Sequence, residues 1–362
     1  MFLLSNRSLE RSLATEEADI AEIVQGFLAL QARSAAAENR PLRRATHAKG
    51  VCARAEFEVL DVAKGRDPAV AARLAKGIYA KPGTYPAIVR FANSDPKVNS
   101  DFKPDVRALS FSVELAPGSA AVAGTPVVRR DYSMQSAPTL PINDIHAFVA
   151  LVRVLASSSP VKGLASLPFR DKLVFARTIL LAQLQARQPI RPYQQVRYWS
   201  TVPYRHGSED VVKYSATPCI QNPARALRKN NPNALHDEMI RHLSEDATMS
   251  CFDFGLQFLD TERMTYRGKR QDANFWIENA SVEWKETQAP FHTVARLTLL
   301  PRSQLSAEVS EAMYIDVTDN ATPDSAPVGA VNRARWHAEL ASRKARMGGS
   351  RHHHNEDRHK QH

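Results

Sequence analysis

The 362 residues are 43% hydrophobic and 24% charged with a net charge of +10, the balance of an ordinary globular chain. The longest apolar runs, "AFVALV" and "TILLAQL", fall far short of the roughly 20 residues that cross a bilayer, and the opening "MFLLSNRSLERSLATEEADI" turns polar too soon for a secretory leader. The basic residues are dispersed, with no helix-turn-helix, zinc-finger or RNP pattern, so nucleic acid is excluded as a partner and a cytoplasmic location is expected.

In chain order, residues 16–37 repeat apolar positions at helical spacing and predict an N-terminal helix. From 53 to 62, "ARAEFEVLDV" alternates like a half-buried strand, and "YPAIVRFA", "ALSFSVEL", "FDFGLQFL", "ASVEW" and "TVARLTLL" do the same. Turn-rich segments such as "KPGTYP" separate them. That pattern predicts an antiparallel sheet curled into a barrel rather than a doubly wound parallel sheet. Residues 144–187 become helical, with a break near "SSSPVKG", and are expected to cover the sheet. Their apolar face carries Phe148, Leu151, Leu173 and Phe175 and reads as packing against the barrel, or as a channel or membrane-facing patch. "SQLSAEVSEAM" and "GAVNRARWHAELASRKARM" are helical again. The tail "RHHHNEDRHKQH" has no periodicity and is expected to be disordered. Cys52, Cys219 and Cys251 show no metal-type spacing, so each reads as a small apolar residue in a reducing compartment.

Six stretches carry the chemistry, in this order: "RATHAKG", "YPAIVRFANSD", "PDVRALSFSVE", "RDYSMQSAP", "SVEW" and "GAVNRARWHAELASRKAR". Together they resemble the catalase superfamily, specifically its small haem proteins, over residues 40–346. The resemblance implies an α+β fold, an antiparallel β-barrel with N-terminal, covering and C-terminal helices, and one bound haem b. The chain then divides into a helical arm (1–40), the haem-binding domain (41–346) and a His-rich tail (347–362).

Carried over by position, His47 stands where the family has its distal histidine, whose imidazole titrates in the range needed to move the peroxide proton. Arg44 and Arg90 match arginines that meet the haem propionates. Phe148 is grouped with the haem-contacting residues. Three positions depart from the pattern. Gln135 replaces the distal asparagine, Ala92 replaces the serine that orients the histidine, and the proximal Arg-x-x-x-Tyr frame reads Arg335, Glu339 and then Arg346. At about 100° per residue, positions 335, 339, 342 and 346 fall within roughly 60° of each other on a helix, so all four make one polar stripe. Taken alone, that stripe reads as a solvated face with an Arg335–Glu339 pair. In the catalase frame it faces the haem, with Glu339 at the iron's axial position; Tyr314 and His337 are the neighbouring alternatives. The expected activity is a weak peroxidase or catalase-like oxidoreductase acting on hydrogen peroxide or an organic hydroperoxide with an unidentified electron donor. The alternative is a non-enzymatic haem-binding or scaffold protein. A homo-oligomer is carried forward as an expectation.

Overall fold

The computed structural model describes residues 10–37, 46–120, 126–219, 222–245 and 249–358, with backbone alone at 116–120, 126–127 and 348–358. The sheet begins with β1 (Gly50–Val59), β2 (Gly83–Asn93), β3 (Arg107–Ala120) and β4 (Pro126–Gln135). It continues through β5 (Tyr198–Trp199), β6 (Tyr204–His206), β7 (Asp210–Pro218), β8 (Ser250–Phe258) and β11 (Phe291–Gln304), while β9 (Thr265–Tyr266) and β10 (Lys269–Arg270) form a separate ribbon. All pairings are antiparallel in the order β5-β4-β3-β2-β1-β11-β8-β7, and a β5–β7 pairing joins the ends into a closed eight-stranded barrel, with β6 attached at β7. The seam is narrow: Gln135 pairs with Trp199, and Trp199 with Ser215.

The period of two along each strand decides what faces inward. On β2 and β3, Val89, Phe91, Leu109, Phe111 and Val113 are buried in the interior, while Arg90, Ser110 and Ser112 face out. The interior is packed with rings. Phe111 stacks on Tyr132 at 4.6 Å between centroids, and Phe254 meets Phe57 edge-on at 5.4 Å, geometry that adds about 0.5–1.5 kcal/mol per pair beyond area burial.

Helix α1 (Glu16–Ala37) lies against α3 (Ile145–Ala156) and α9 (Ala330–Arg358). At one crossing Gly26 leaves room for Val152, whose Cγ1 lies 1.9 Å from the position a Cβ would take. Short helices α2 (Pro68–Leu74), α7 (Ala273–Glu278) and α8 (Ala307–Ala312) fill connections, α6 (Ala234–Glu245) packs on β11, and α4 (Pro160–Ser166) and α5 (Phe169–Ala186) follow α3. Of the helices expected to cover the sheet, α3 joins the central core through Ile145, Phe148, Val149 and Val152, whereas α5 rests on α3. Helix α9 runs on to Arg358, through most of the stretch expected as a disordered tail.

Two sequence expectations are corrected. "ASVEW" is a turn, because its backbone bonds leave the ladder: Ala280 N–H donates to Asn143 O at 2.8 Å and Leu140 N–H to Ala280 O at 2.9 Å. Cys219 and Cys251 are joined by a disulfide, brought together where β7 leaves the sheet beside β8, with Cα atoms 5.4 Å apart. Thirty-two residues separate them in sequence, so spacing gave no signal. Such bonds persist in oxidising surroundings, and cysteine usage therefore does not support a reducing compartment. Reduction should destabilise the protein by about 2–4 kcal/mol, the usual effect of opening a loop of this order. Denaturant midpoints with and without dithiothreitol check this; identical midpoints, with the bond verified in the untreated sample, would contradict it.

Candidate active site

His47 enters β1 in an unusual backbone conformation, with φ of 61°, in the left-handed region that L-residues rarely occupy. Two contacts hold it there. Its N–H donates to Ser94 O at 3.2 Å, and its carbonyl accepts from Arg90 Nη2 at 2.8 Å. Arg90 reaches that carbonyl by lying across Gly50, where an added Cβ would stand 2.7 Å from the guanidinium carbon and 2.6 Å from Phe91 O. The glycine of "HAKG" is therefore a space requirement. Lys49 of the same motif is buried and anchors the segment, its Nζ donating to Asp101 Oδ1 at 2.7 Å and Pro232 O at 2.8 Å.

Ala92 lies beside Gly50 on the neighbouring strand with no group to offer His47. Thr46 supplies what Ala92 lacks: its Oγ1 is 2.9 Å from His47 Nδ1.

Across from His47 stands α9. Arg335, Glu339, Ser342, Arg343 and Arg346 recur along one helical stripe, and this stripe walls a cleft whose other side is His47 and the outward face of β2–β4, represented by Arg90, Ser110 and Ser133. Phe27 of α1 and Met313 supply its apolar wall. The polar stripe thus faces the cleft, which stays open to solvent at Glu339.

Charge in the cleft is unequal. Arg335 lies 3.6 Å from Glu339, Arg343 3.2 Å from Asp316, and Arg346 Nη1 donates to Glu311 O at 3.1 Å. Arg90 is buried among the described residues with its Nε unpaired, and burial lowers its pKa without bringing a guanidinium near neutrality. Arginines outnumber carboxylates on these walls, which is the preference of a site for an anion. Glu339 keeps 48% of its side chain accessible on the cleft side, while the surrounding protein raises its pKa by desolvation and Arg335 pulls it back.

The sequence-chosen residues do not all meet here. His47, Arg90, Arg335, Glu339 and Arg346 do. Gln135 shares the outward face of β4 with Ser133 but spends its amide on Thr139 O at 3.3 Å, away from the cleft walls. Phe148 stands behind the wall, its ring edge-on to Phe27 at 5.7 Å. Arg44 lies outside the described residues. Of the alternatives to Glu339, Tyr314 lines the cleft, held between Arg129 and Arg343 at 4.4 Å from each, and His337 does not. Sequence reasoning missed Thr46, Ser110, Ser133 and Phe27; Ser110 lies in a stretch that alternates, Ser133 in one that did not read as a strand, and only the position of α9 makes that face a wall.

Two solved structures share this architecture. One is a fungal catalase, with a TM-score of 0.63 at 14% identity, covering 88% of this chain and 62% of its own. The other is catalase A from Saccharomyces cerevisiae, with a TM-score of 0.62 at 14% identity, covering 87% and 63%. No protein-family model and no curated protein matches the sequence. The chain therefore has a catalase-like fold, and it spans about three-fifths of the length of these two neighbours.

Haem, which such a fold implies, can be tested against the cleft. The donor set fits: surplus guanidinium groups for two propionates, the unpaired Arg90 Nε among them, an imidazole on one side and a carboxylate on the other. The cleft is narrow, at about 130 Å³, below the roughly 300 Å³ at which pockets enclose drug-sized ligands. Among the described residues no cluster of three or more His, Cys, Asp or Glu side chains is placed to hold a bare metal ion.

Glu339 makes a pH prediction. Between the ordinary glutamate value and its raised one, the folded protein holds a proton that the unfolded chain has lost, so stability falls as pH rises through that window. Glu339→Gln should melt higher than the parent at neutral pH, with the gap closing as pH falls to about 4. A gap of opposite sign, or one independent of pH, would show that the pairing with Arg335 outweighs desolvation.

Proposed function

We propose that the protein is a haem-dependent oxidoreductase that consumes hydrogen peroxide or an organic hydroperoxide, working as a slow peroxidase rather than a fast catalase. The observation that carries this reading is His47, held in its left-handed conformation by Arg90 and facing the polar stripe of α9 across one cleft. Arg90 and Arg346, with Arg44 as a further candidate, would pair with the propionates. Glu339 would offer a carboxylate oxygen to the iron, with Arg335 beside it to favour the anionic form. Bound haem would supply a redox-active iron at which the peroxide O–O bond is cleaved.

His47 does the proton work. With Thr46 Oγ1 beside its Nδ1, the imidazole of His47 would take the proton from the near oxygen of the peroxide and return it to the departing one, which leaves as water or an alcohol. The amide of Gln135 is committed to Thr139 O, so steering of the peroxide falls to His47 and to Ser110 and Ser133. A short carboxylate in place of a phenolate donates less charge to the iron, which favours slow turnover with a small reductant from solution. The narrow cleft, together with Glu339 and Ala92 at the tyrosine and serine positions, favours the alternative, a non-enzymatic catalase-like scaffold.

Haemin titration separates the two. A saturable, one-to-one Soret band is expected; weak, non-saturating association like that of an unrelated basic protein would leave the scaffold reading. In the loaded protein, His47→Ala should keep the Soret band and slow the reaction with peroxide by about 10²- to 10⁴-fold, the usual loss of a general acid–base. Unchanged stopped-flow kinetics would make His47 a structural residue.

A further inference from the structure

Helix α5 is an apolar helix with little to pack against. Of its 18 residues Thr178 alone is buried, and Phe169, Leu173, Leu180 and Leu184 are 77%, 58%, 57% and 55% exposed. At about 100° per residue these four fall within roughly 60° of one another, so they form one continuous outward stripe. Val161 and Leu164 on α4 are exposed as well. Scattered exposed leucines need no explanation, but a contiguous apolar face of this kind marks a docking surface.

The charges around the stripe say what docks. Residues 157–191 contain six basic side chains and one acidic one, Asp171. On the same helical wheel Arg170 and Arg177 flank the stripe on one side and Lys172 on the other, with Arg187 capping its end. A second copy of this chain, docked face to face about a two-fold axis, would set these cations against one another. An anionic lipid surface accepts both features: acyl chains take the apolar stripe, and headgroups take the guanidinium and ammonium groups. No helix among the described residues is long and apolar enough to cross a membrane, so α5 would lie on the surface.

We infer that α5, extended by α4, is a docking face for an anionic lipid membrane. The face belongs to the helical layer that reaches the cleft through α3 and α1, whose Phe27 lines it. The inference does not depend on haem, since it rests on exposure and charge alone.

The test is co-sedimentation of the intact chain with phosphatidylcholine vesicles carrying about 30 mol% phosphatidylserine, beside vesicles of phosphatidylcholine alone. The expected result is binding to the anionic vesicles only, weakened on going from about 0.1 to 0.5 M salt. The double variant Leu173→Glu, Leu180→Glu changes two exposed side chains, so its melting temperature should match the parent while its vesicle binding falls about tenfold or more. Three results would overturn the inference: no binding to anionic vesicles, equal binding by parent and double variant, or a dimer by light scattering that the double variant dissolves while neither form binds vesicles.

Discussion

The architecture of the cleft depends on one contact, the guanidinium of Arg90 laid across the backbone of Gly50 to reach the carbonyl of His47. A histidine at φ of 61° is costly by itself, of order 1–3 kcal/mol, and persists only where its surroundings over-determine it. Here the surroundings are β1 and β2, whose antiparallel register puts Gly50 opposite Ala92 and sets Arg90 two residues earlier on the same outward face. Any side chain at position 50 would push the guanidinium away and release the histidine. Lys49 locks the other end of the segment through Asp101, which also accepts from Asn93 Nδ2 at 2.8 Å and from Leu235 N–H at 2.8 Å, so three distant parts of the chain converge on one buried carboxylate.

The same register explains why one face of these strands is polar and the other apolar. Alternation sends aromatic and branched residues inward and leaves Arg90, Ser110 and Ser133 on the outside, where a strand would ordinarily meet water. Helix α9 covers that face with a polar stripe, trapping a surplus of arginines in a space partly closed to solvent. Like charges held this way repel; Glu339, Asp316 and, from behind the lining, Glu311 offset Arg335, Arg343 and Arg346, so among the described residues Arg90 is the cleft arginine without a carboxylate beside it. An anion entering the cleft relieves that repulsion. The unequal charge is thus the physical reason for expecting a ligand with acidic groups, before any likeness to other folds is considered.

Much of this could be read from the sequence because the relevant features are local or periodic. Five of the six alternating stretches are strands of the barrel, the helical spacing at 16–37 is α1, and the stripe at 335, 339, 342 and 346 faces one cleft. What escaped was contact between distant segments. Strand β4 carries Arg129, Arg130 and Asp131 and did not read as a strand, although Arg130 turns inward to donate to Tyr214 OH at 3.1 Å and Ser325 O at 2.7 Å. "ASVEW" alternates, yet its backbone is claimed by residues 140–143. The loss of serine at Ala92 was legible, but not its replacement by Thr46, because a residue adjacent in sequence reaches the imidazole only when His47 adopts its left-handed turn. The Cys219–Cys251 bond is likewise a product of the β7–β8 neighbourhood and leaves no mark in spacing.

The central claim is that α9 presents residue 339 to a haem whose opposite face meets His47. Replacing that residue with tyrosine, the ligand that the resemblance to catalases implies, tests it most directly: Glu339→Tyr, loaded with haemin, should show the visible charge-transfer bands of a phenolate bound to ferric iron, together with faster peroxide turnover than the parent. A haem-loaded variant whose spectrum and turnover equal those of the parent would contradict it, because residue 339 would then not lie beneath the iron.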